Sequence, residues 1–268
     1  MGKVICVANQ KGGVGKTTTV INLAASLAAA QKRTMFIDFD PQANATSGVG
    51  IDKEEVGQSI YDAIIGDTNI KDIALEVEPE SLKGYLTVVP ANPDLTGAEV
   101  ELIHLENREW RLKQAINNVV HEYDYIFIDC PPSLSLLTVN ALTAADSVLI
   151  PVQCEYFALE GLGQLKRTIS LIRQRLNPEL GVEGYLLTMF DSRNKICHMV
   201  ANELRTYFNE EVFETVIFRN VKLAESPSFG KPILLYDIKS TGAEGYISLA
   251  HELVVKNGGE RIEKSYFG

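Results

Sequence analysis

Seven short apolar runs punctuate the chain, near 3–9, 34–39, 85–90, 124–129, 147–152, 182–189 and 212–218. Three of them, TMFIDF, YIFIDC and SVLIPV, are apolar almost without a break. Strands of a parallel sheet covered on both faces have that pattern, whereas half-exposed strands alternate. Helix-like stretches fill about 16–31, 108–122, 133–145, 158–176, 195–209 and 240–256. The alternation predicts right-handed β-α-β crossovers and an α/β fold, a mostly parallel twisted sheet flanked by helices on both faces. Ligands of such sheets bind beyond the C-terminal ends of the strands. Residues 51–106 are the least regular and read as peripheral helices. The pattern gives one domain over 1–257 and, after Gly258-Gly259, a flexible tail over 258–268.

Composition narrows the class. About 46% of the 268 residues are hydrophobic, enough for a full core. No apolar run reaches 18 residues and the chain enters a strand at once, so the reading expects neither a membrane span nor a signal peptide and a cytoplasmic location. Cys6, Cys130, Cys154 and Cys197 lack C-x-x-C spacing and read as reduced thiols. The four histidines, His104, His121, His198 and His251, lack ligand spacing, so no zinc site is expected. The net charge of −10 is concentrated: residues 51–110 hold 14 Asp/Glu against 4 Lys/Arg, and the remainder is balanced. An acidic chain is not an obvious nucleic-acid binder, yet this unevenness leaves room for a basic face elsewhere.

The chemistry starts at ANQKGGVGKTTTV, between a strand and a helix. Gly15, Lys16 and Thr17 end a phosphate-binding loop of P-loop NTPase type, but its first glycine position holds Gln10, followed by a second lysine, Lys11. Gly12, Gly13 and Gly15 let backbone amides of the loop, that of Val14 included, converge on phosphate oxygens. Lys16 reaches the β- and γ-phosphates, the Thr17 hydroxyl binds Mg²⁺, and Thr18 adds an α-phosphate contact. In YIFIDCPPS, Asp129 ends a strand where an acid holds Mg²⁺ through water, and Pro131-Pro132 stop the strand. In FIDFDPQ, Asp38 and Asp40 alternate onto one face. Asp40, nearer the strand's end, suits a water-positioning or base role; Asp38 suits support of Lys16 or of the Mg²⁺ waters.

KGGVGKTT fits the deviant Walker A signature K-G-G-x-x-K-[ST]. With DFDPQANATSG, IDCPPSLSLLTVNALTAADSVLIPVQCEYFALEGL and RNVKLAESPSFGKPILLYDIKSTGAEGY, the chain closely resembles the ParA/Soj chromosome- and plasmid-partitioning ATPases over about residues 3–255. The resemblance implies an ATP/ADP and Mg²⁺ site. It also implies an ATP-sandwich homodimer in which Lys11 crosses to the partner's nucleotide. Further implications are non-specific binding of double-stranded DNA, hydrolysis triggered by a ParB-type centromere-binding protein, and association with the nucleoid. Adenine would lie between TMFDSR and IFRN, against Asn220 and Phe218, where relatives usually carry proline. The phenyl ring either stacks on the base or packs. Arg219 matches the family's DNA-contacting arginine, with Lys222, Arg193 and Lys195 as neighbours. Lys166, Arg167, Arg173 and Arg175 add charge near 160–176 against the single acid Glu160. Two other branches of the superfamily fit less well. A MinD-like membrane regulator needs a C-terminal amphipathic helix, and ERIEKSYFG is short and charged. An iron–sulfur member needs cysteines that bridge subunits.

Overall fold

The computed structural model describes residues 2–77, 82–155 and 158–267, without the side chains of 158–160, 264 and 265. Eight strands form one sheet: β1 Lys3–Val7, β2 Thr34–Asp38, β3 Leu75–Glu76, β4 Leu86–Val89, β5 Tyr125–Asp129, β6 Ser147–Gln153, β7 Gly181–Phe190 and β8 Val212–Phe218. Their order is β3-β4-β2-β5-β1-β6-β7-β8. Every pair is parallel except β3 with β4. The seven expected strands are present; the two-residue β3 had no apolar run to announce it.

Both sheet faces are covered. Val4, Cys6, Ile126 and Ile128 face one buried apolar cluster, and Ile5, Val7, Phe36 and Phe127 face the other. This is why the strand sequences run apolar rather than alternating. The helices Lys16–Ala29 and Thr241–Lys256 cover the second face, through Val20, Leu23, Leu27, Tyr246, Leu249 and Leu253. Helices Leu136–Ala144, Ala158–Arg175 and Lys195–Phe208 cover the first. Each fully buried Leu, Ile or Phe contributes about 1.5–3 kcal/mol. The helix expected over 108–122 is broken: Arg111–Ile116 is α-helical, and a 3-10 turn spans Val120–Glu122. Val119, Val120 and Tyr123 there pack as β-branched and aromatic residues that propagate a helix poorly.

The sheet's two edges are short or irregular. β3 offers two residues. β8 loses register against β7 between Tyr185 and Leu187, and there the Glu252 carboxylate accepts from the amides of Glu214 (2.6 Å) and Thr215 (2.9 Å). Past Gly258, Ile262 is buried against the second cluster and Arg261 Nε donates to His251 Nε2 (2.7 Å).

Candidate functional site

The C-terminal ends of β2, β5 and β1 meet at one point. Asp38 stands opposite Asp129 in the β2–β5 register, and Asp129 opposite Val7 in β5–β1. The loop of residues 9–15 leaves β1 there and turns into the helix Lys16–Ala29. Gly13 (φ +72°) and Gly15 (φ +90°) adopt left-handed backbone that a side chain would strain. The helix start has no side-chain cap and no acid in its first turn. Its leading amides and dipole are therefore available to an anion. Thr188 on β7 braces the loop, its hydroxyl donating to Val14 O (2.8 Å).

Lys16 is buried, and its ammonium donates to Lys11 O (3.4 Å). Burial lowers its pKa, opposed by the nearby carboxylates of Asp129 and Asp40. Asp129 is fully buried, and neither carboxylate oxygen has a sound hydrogen-bond partner. Burial and the Asp38 carboxylate push its pKa well up; the Thr17 hydroxyl, close by, and Lys16 oppose them. An orphaned buried carboxylate beside a threonine hydroxyl and an uncapped helix start suits a hard cation bound with an anion. Burial also raises Asp38, to about 6, although it is well bonded: it accepts from Thr46 N and Thr46 Oγ1 (both 2.7 Å) and from Asp40 N (3.3 Å). None of these bonds goes to Lys16; Asp38 pins the turn that carries Asp40. That turn also changes the reason for grouping the two acids. β2 stops at Asp38, so strand alternation does not place Asp40. Asp40 lies in the turn, nearly buried, where its Oδ1 accepts from Gln42 N (2.9 Å).

Lys11 points elsewhere. Its ammonium pairs with Glu155 Oε2 (2.5 Å), and its amide donates to Asn9 Oδ1 (3.0 Å). Gly12 is exposed, and Thr17 and Thr18 are half-buried at the helix start.

The ends of β7 and β8 form a second region. Phe190 opposes Phe218, with the rings edge to face at 5.8 Å, so Phe218 packs while 43% of it stays exposed. Met189 just before holds φ +48°, an uncommon backbone for an unbranched side chain. Asn220 caps the helix Val221–Glu225 by accepting from Lys222 N (2.7 Å) and donates to Thr241 Oγ1 (2.6 Å). Arg219 lies alongside, its amide bonded to Phe190 O (3.0 Å). Arg193 grips Asp191 with two side-chain bonds (2.9 and 3.0 Å). Arg193, with help from Arg219, holds the Asp191 carboxyl down at about 2. Lys222 pairs with Glu225 (2.9 Å). Among the described residues, Arg219 and Lys195 are exposed with no ion pair. On the helix Ala158–Arg175, Lys166 sits over the Phe208 ring and Arg173 donates to Leu180 O (2.5 Å), while Arg167 and Arg175 are exposed. The side chain of Glu160 is outside the described residues.

Sequence reading missed four supporting residues: Asn9, Thr46, Thr188 and Glu155. Each acts across a long chain separation or on a backbone atom, so no local pattern marks it. The four cysteines are buried free thiols, with Cys6 and Cys130 sulfurs 3.1 Å apart on neighbouring strands. No cluster suited to a metal appears among the described histidines, cysteines and acids taken alone.

A sequence profile described as an AAA domain matches residues 2–182. The chain is 60% identical over 257 residues to the chromosome partitioning protein ParA of Myxococcus xanthus, covering 96% of this chain and 89% of that one. It is 55% identical to the sporulation initiation inhibitor protein Soj of Bacillus subtilis, over 96% of this chain and all of that one. Among solved structures, a cobyrinic acid a,c-diamide synthase from Mycobacterium smegmatis with bound ADP and magnesium superposes with TM-score 0.83 at 35% identity, over 98% of both chains. Near-full-length identity of this size, together with the K-G-G-x-x-K-T loop and its facing acids, places the chain in the ParA/Soj family of partitioning ATPases.

Proposed function

We propose that the chain is a slow, Mg²⁺-dependent ATPase switch for DNA segregation. It dimerises around two ATP molecules, binds DNA without sequence preference as that dimer, and lets go when a ParB-type partner stimulates hydrolysis. The observation that carries the reading is the division of labour between the two lysines. Lys16 is buried near Asp129 and Asp40, whereas the Lys11 side chain turns away from them, its ammonium 2.5 Å from Glu155. A lysine so placed serves the phosphates of a facing subunit better than its own.

ATP/ADP and Mg²⁺ fit the residues present. Solved relatives carry ADP and magnesium at high structural similarity, and the orphaned Asp129 carboxylate asks for a cation. Thr17 would hold Mg²⁺ directly and Asp129 would hold it through water, with Asp38 behind; the ion would supply positive charge to offset that of the phosphates. The glycine loop and the helix start orient the phosphates. Lys16 supplies fixed positive charge, and Asp40, steadied by Gln42, orients the attacking water. Phe218 and Asn220 border the base; Asn220 would exchange its Thr241 bond for one to adenine.

Arg219, Lys222, Arg193 and Lys195 form the basic rim for DNA phosphates. No described helix is long and apolar enough to cross a membrane. The acidic 51–110 segment favours a basic element of the partner. The decisive experiment is sizing by sedimentation with ATP, ADP or no nucleotide, each with and without random-sequence DNA. The expected dimer forms with ATP alone and shifts further with DNA. Lys11→Ala should bind ATP and remain a monomer, and an ATP dimer as tight as the parent's in that variant would refute the crossing lysine.

A further inference from the structure

Lys11 is fastened to the segment at the end of β6 in two ways. Its amide donates to Asn9 Oδ1 (3.0 Å), and the Asn9 amide group donates to Pro151 O (2.7 Å). Its ammonium reaches Glu155, 144 positions away in the chain. Glu155 is itself held. Its N–H donates to Gln153 O (2.8 Å), and its second carboxylate oxygen accepts from Gln153 Nε2. Between the two, Cys154 O accepts from Cys197 Sγ (3.5 Å), anchoring the segment to the helix Lys195–Phe208. Both carboxylate oxygens of Glu155 thus have a partner, and the lysine's flexible stem is directed along its own subunit.

We infer that Glu155 is a positioning residue, a latch that keeps Lys11 on its own subunit and must release it before the ammonium can reach a facing nucleotide. The inference rests on the dimer reading above. The latch has the right strength for a switch. The side chains are 39% and 49% exposed, so water and salt screen the pair. Exposed pairs of this kind shift an equilibrium by roughly 1.4- to 5-fold each. A triphosphate with several negative charges outcompetes one carboxylate for the ammonium, whereas thermal motion alone leaves the pair mostly closed. A symmetric dimer opens two latches. Removing both therefore tightens ATP-dependent dimerisation by about two- to thirtyfold.

Two measurements on the full chain test this. The first is acylation of the Lys11 amine in nucleotide-free protein by an amine-reactive ester, followed by mass spectrometry. Glu155→Gln, which keeps the shape and loses the charge, should label Lys11 about 1.4- to 5-fold faster; an unchanged rate would overturn the pair in solution. The second is the dimer dissociation constant with a non-hydrolysable ATP analogue and Mg²⁺. Glu155→Gln should dimerise about two- to thirtyfold more tightly, and Glu155→Asp, still charged, should stay within about twofold of the parent. Equal tightening by both variants would reveal a merely structural effect, and weaker dimerisation of Glu155→Gln would put Glu155 inside the dimer contact; either result overturns the latch. A parent chain that stays monomeric with the analogue sinks the dimer reading and the latch together, while the labelling result still reports the pair separately.

Discussion

At the ends of β2, β5 and β1 the charged groups are buried, and Asp129 and Lys16 are short of partners; at the ends of β7 and β8 the cations are exposed, and Arg193 and Lys222 have a carboxylate each. Asp129 has two orphaned oxygens and Lys16 one long bond to a carbonyl. Arg193 and Lys222 each sit against a carboxylate in open solvent. The centre is built ahead of its ligand at a cost: unpaired buried charge lowers stability until a counter-charge arrives. At the rim, one weak surface pair can give way to another at little cost. On the proposed function, the centre should therefore be selective and strong per residue, and the rim additive and salt-sensitive.

The contrast breaks most readily at Lys16. Lys16→Ala should weaken ATP binding by about a hundredfold in calorimetry, since a charge-assisted contact inside a buried site has no substitute. Asp40→Ala should lower single-turnover hydrolysis by tens-fold or more while leaving ATP affinity within a few-fold, so that ATP dimers persist on DNA. If Asp38→Ala gives that result and Asp40→Ala does not, the roles of the two acids are exchanged.

Asp129→Asn sharpens the comparison because it should improve one property and spoil another. Without nucleotide, thermal unfolding at pH 7 should occur about 3 °C higher, and the gain in ATP affinity conferred by Mg²⁺ should fall about tenfold. The sign follows from linkage. Burial and the Asp38 carboxylate raise the folded pKa of Asp129 well above the ordinary carboxylate range, so its contribution to stability is present at low pH and lost as pH rises toward the folded value. The stability difference between Asp129→Asn and the parent should therefore widen from pH 4 to pH 7. A constant difference would mean that burial of Asp129 is relieved in solution.

At the rim the effects should be smaller. Arg219→Glu should weaken DNA binding about tenfold or more without altering dimerisation, and Arg219→Ala should reduce the dimer's salt slope by about two, one phosphate per subunit. Arg193→Ala should cost only about twofold, because Asp191 already neutralises that charge. Comparable losses for Arg193 and Arg219 would show that the rim's ion pairs open freely on DNA.

The same contrast explains what was legible in the chain itself. The strands of the centre are unbroken apolar runs ending in acids, and the loop is a contiguous string in which spacing states the chemistry. Residues that hold this site in place escaped notice. Thr46 meets Asp38 across a turn, Thr188 reaches Val14 from another strand, and Glu155 meets Lys11 across the site. The last two contacts are set by strand order, which a parallel sheet leaves open until folded. The 111–122 break was equally hidden, since its apolar spacing is helical while its β-branched residues favour a turn. At the rim, sequence supplied the charges but not their pairings, and pairing decides which of them are free.

The finish of the sheet at β8 bears on how many copies can crowd together. Wherever copies of a protein meet at high local concentration, an open strand edge would template strand-by-strand growth between neighbours. Here one edge is two residues long and the other loses its register and offers two of its amides to Glu252 instead of to a stranger. Crowded copies then meet at edges that offer little for strand pairing, so the sheet does not extend from one chain into the next.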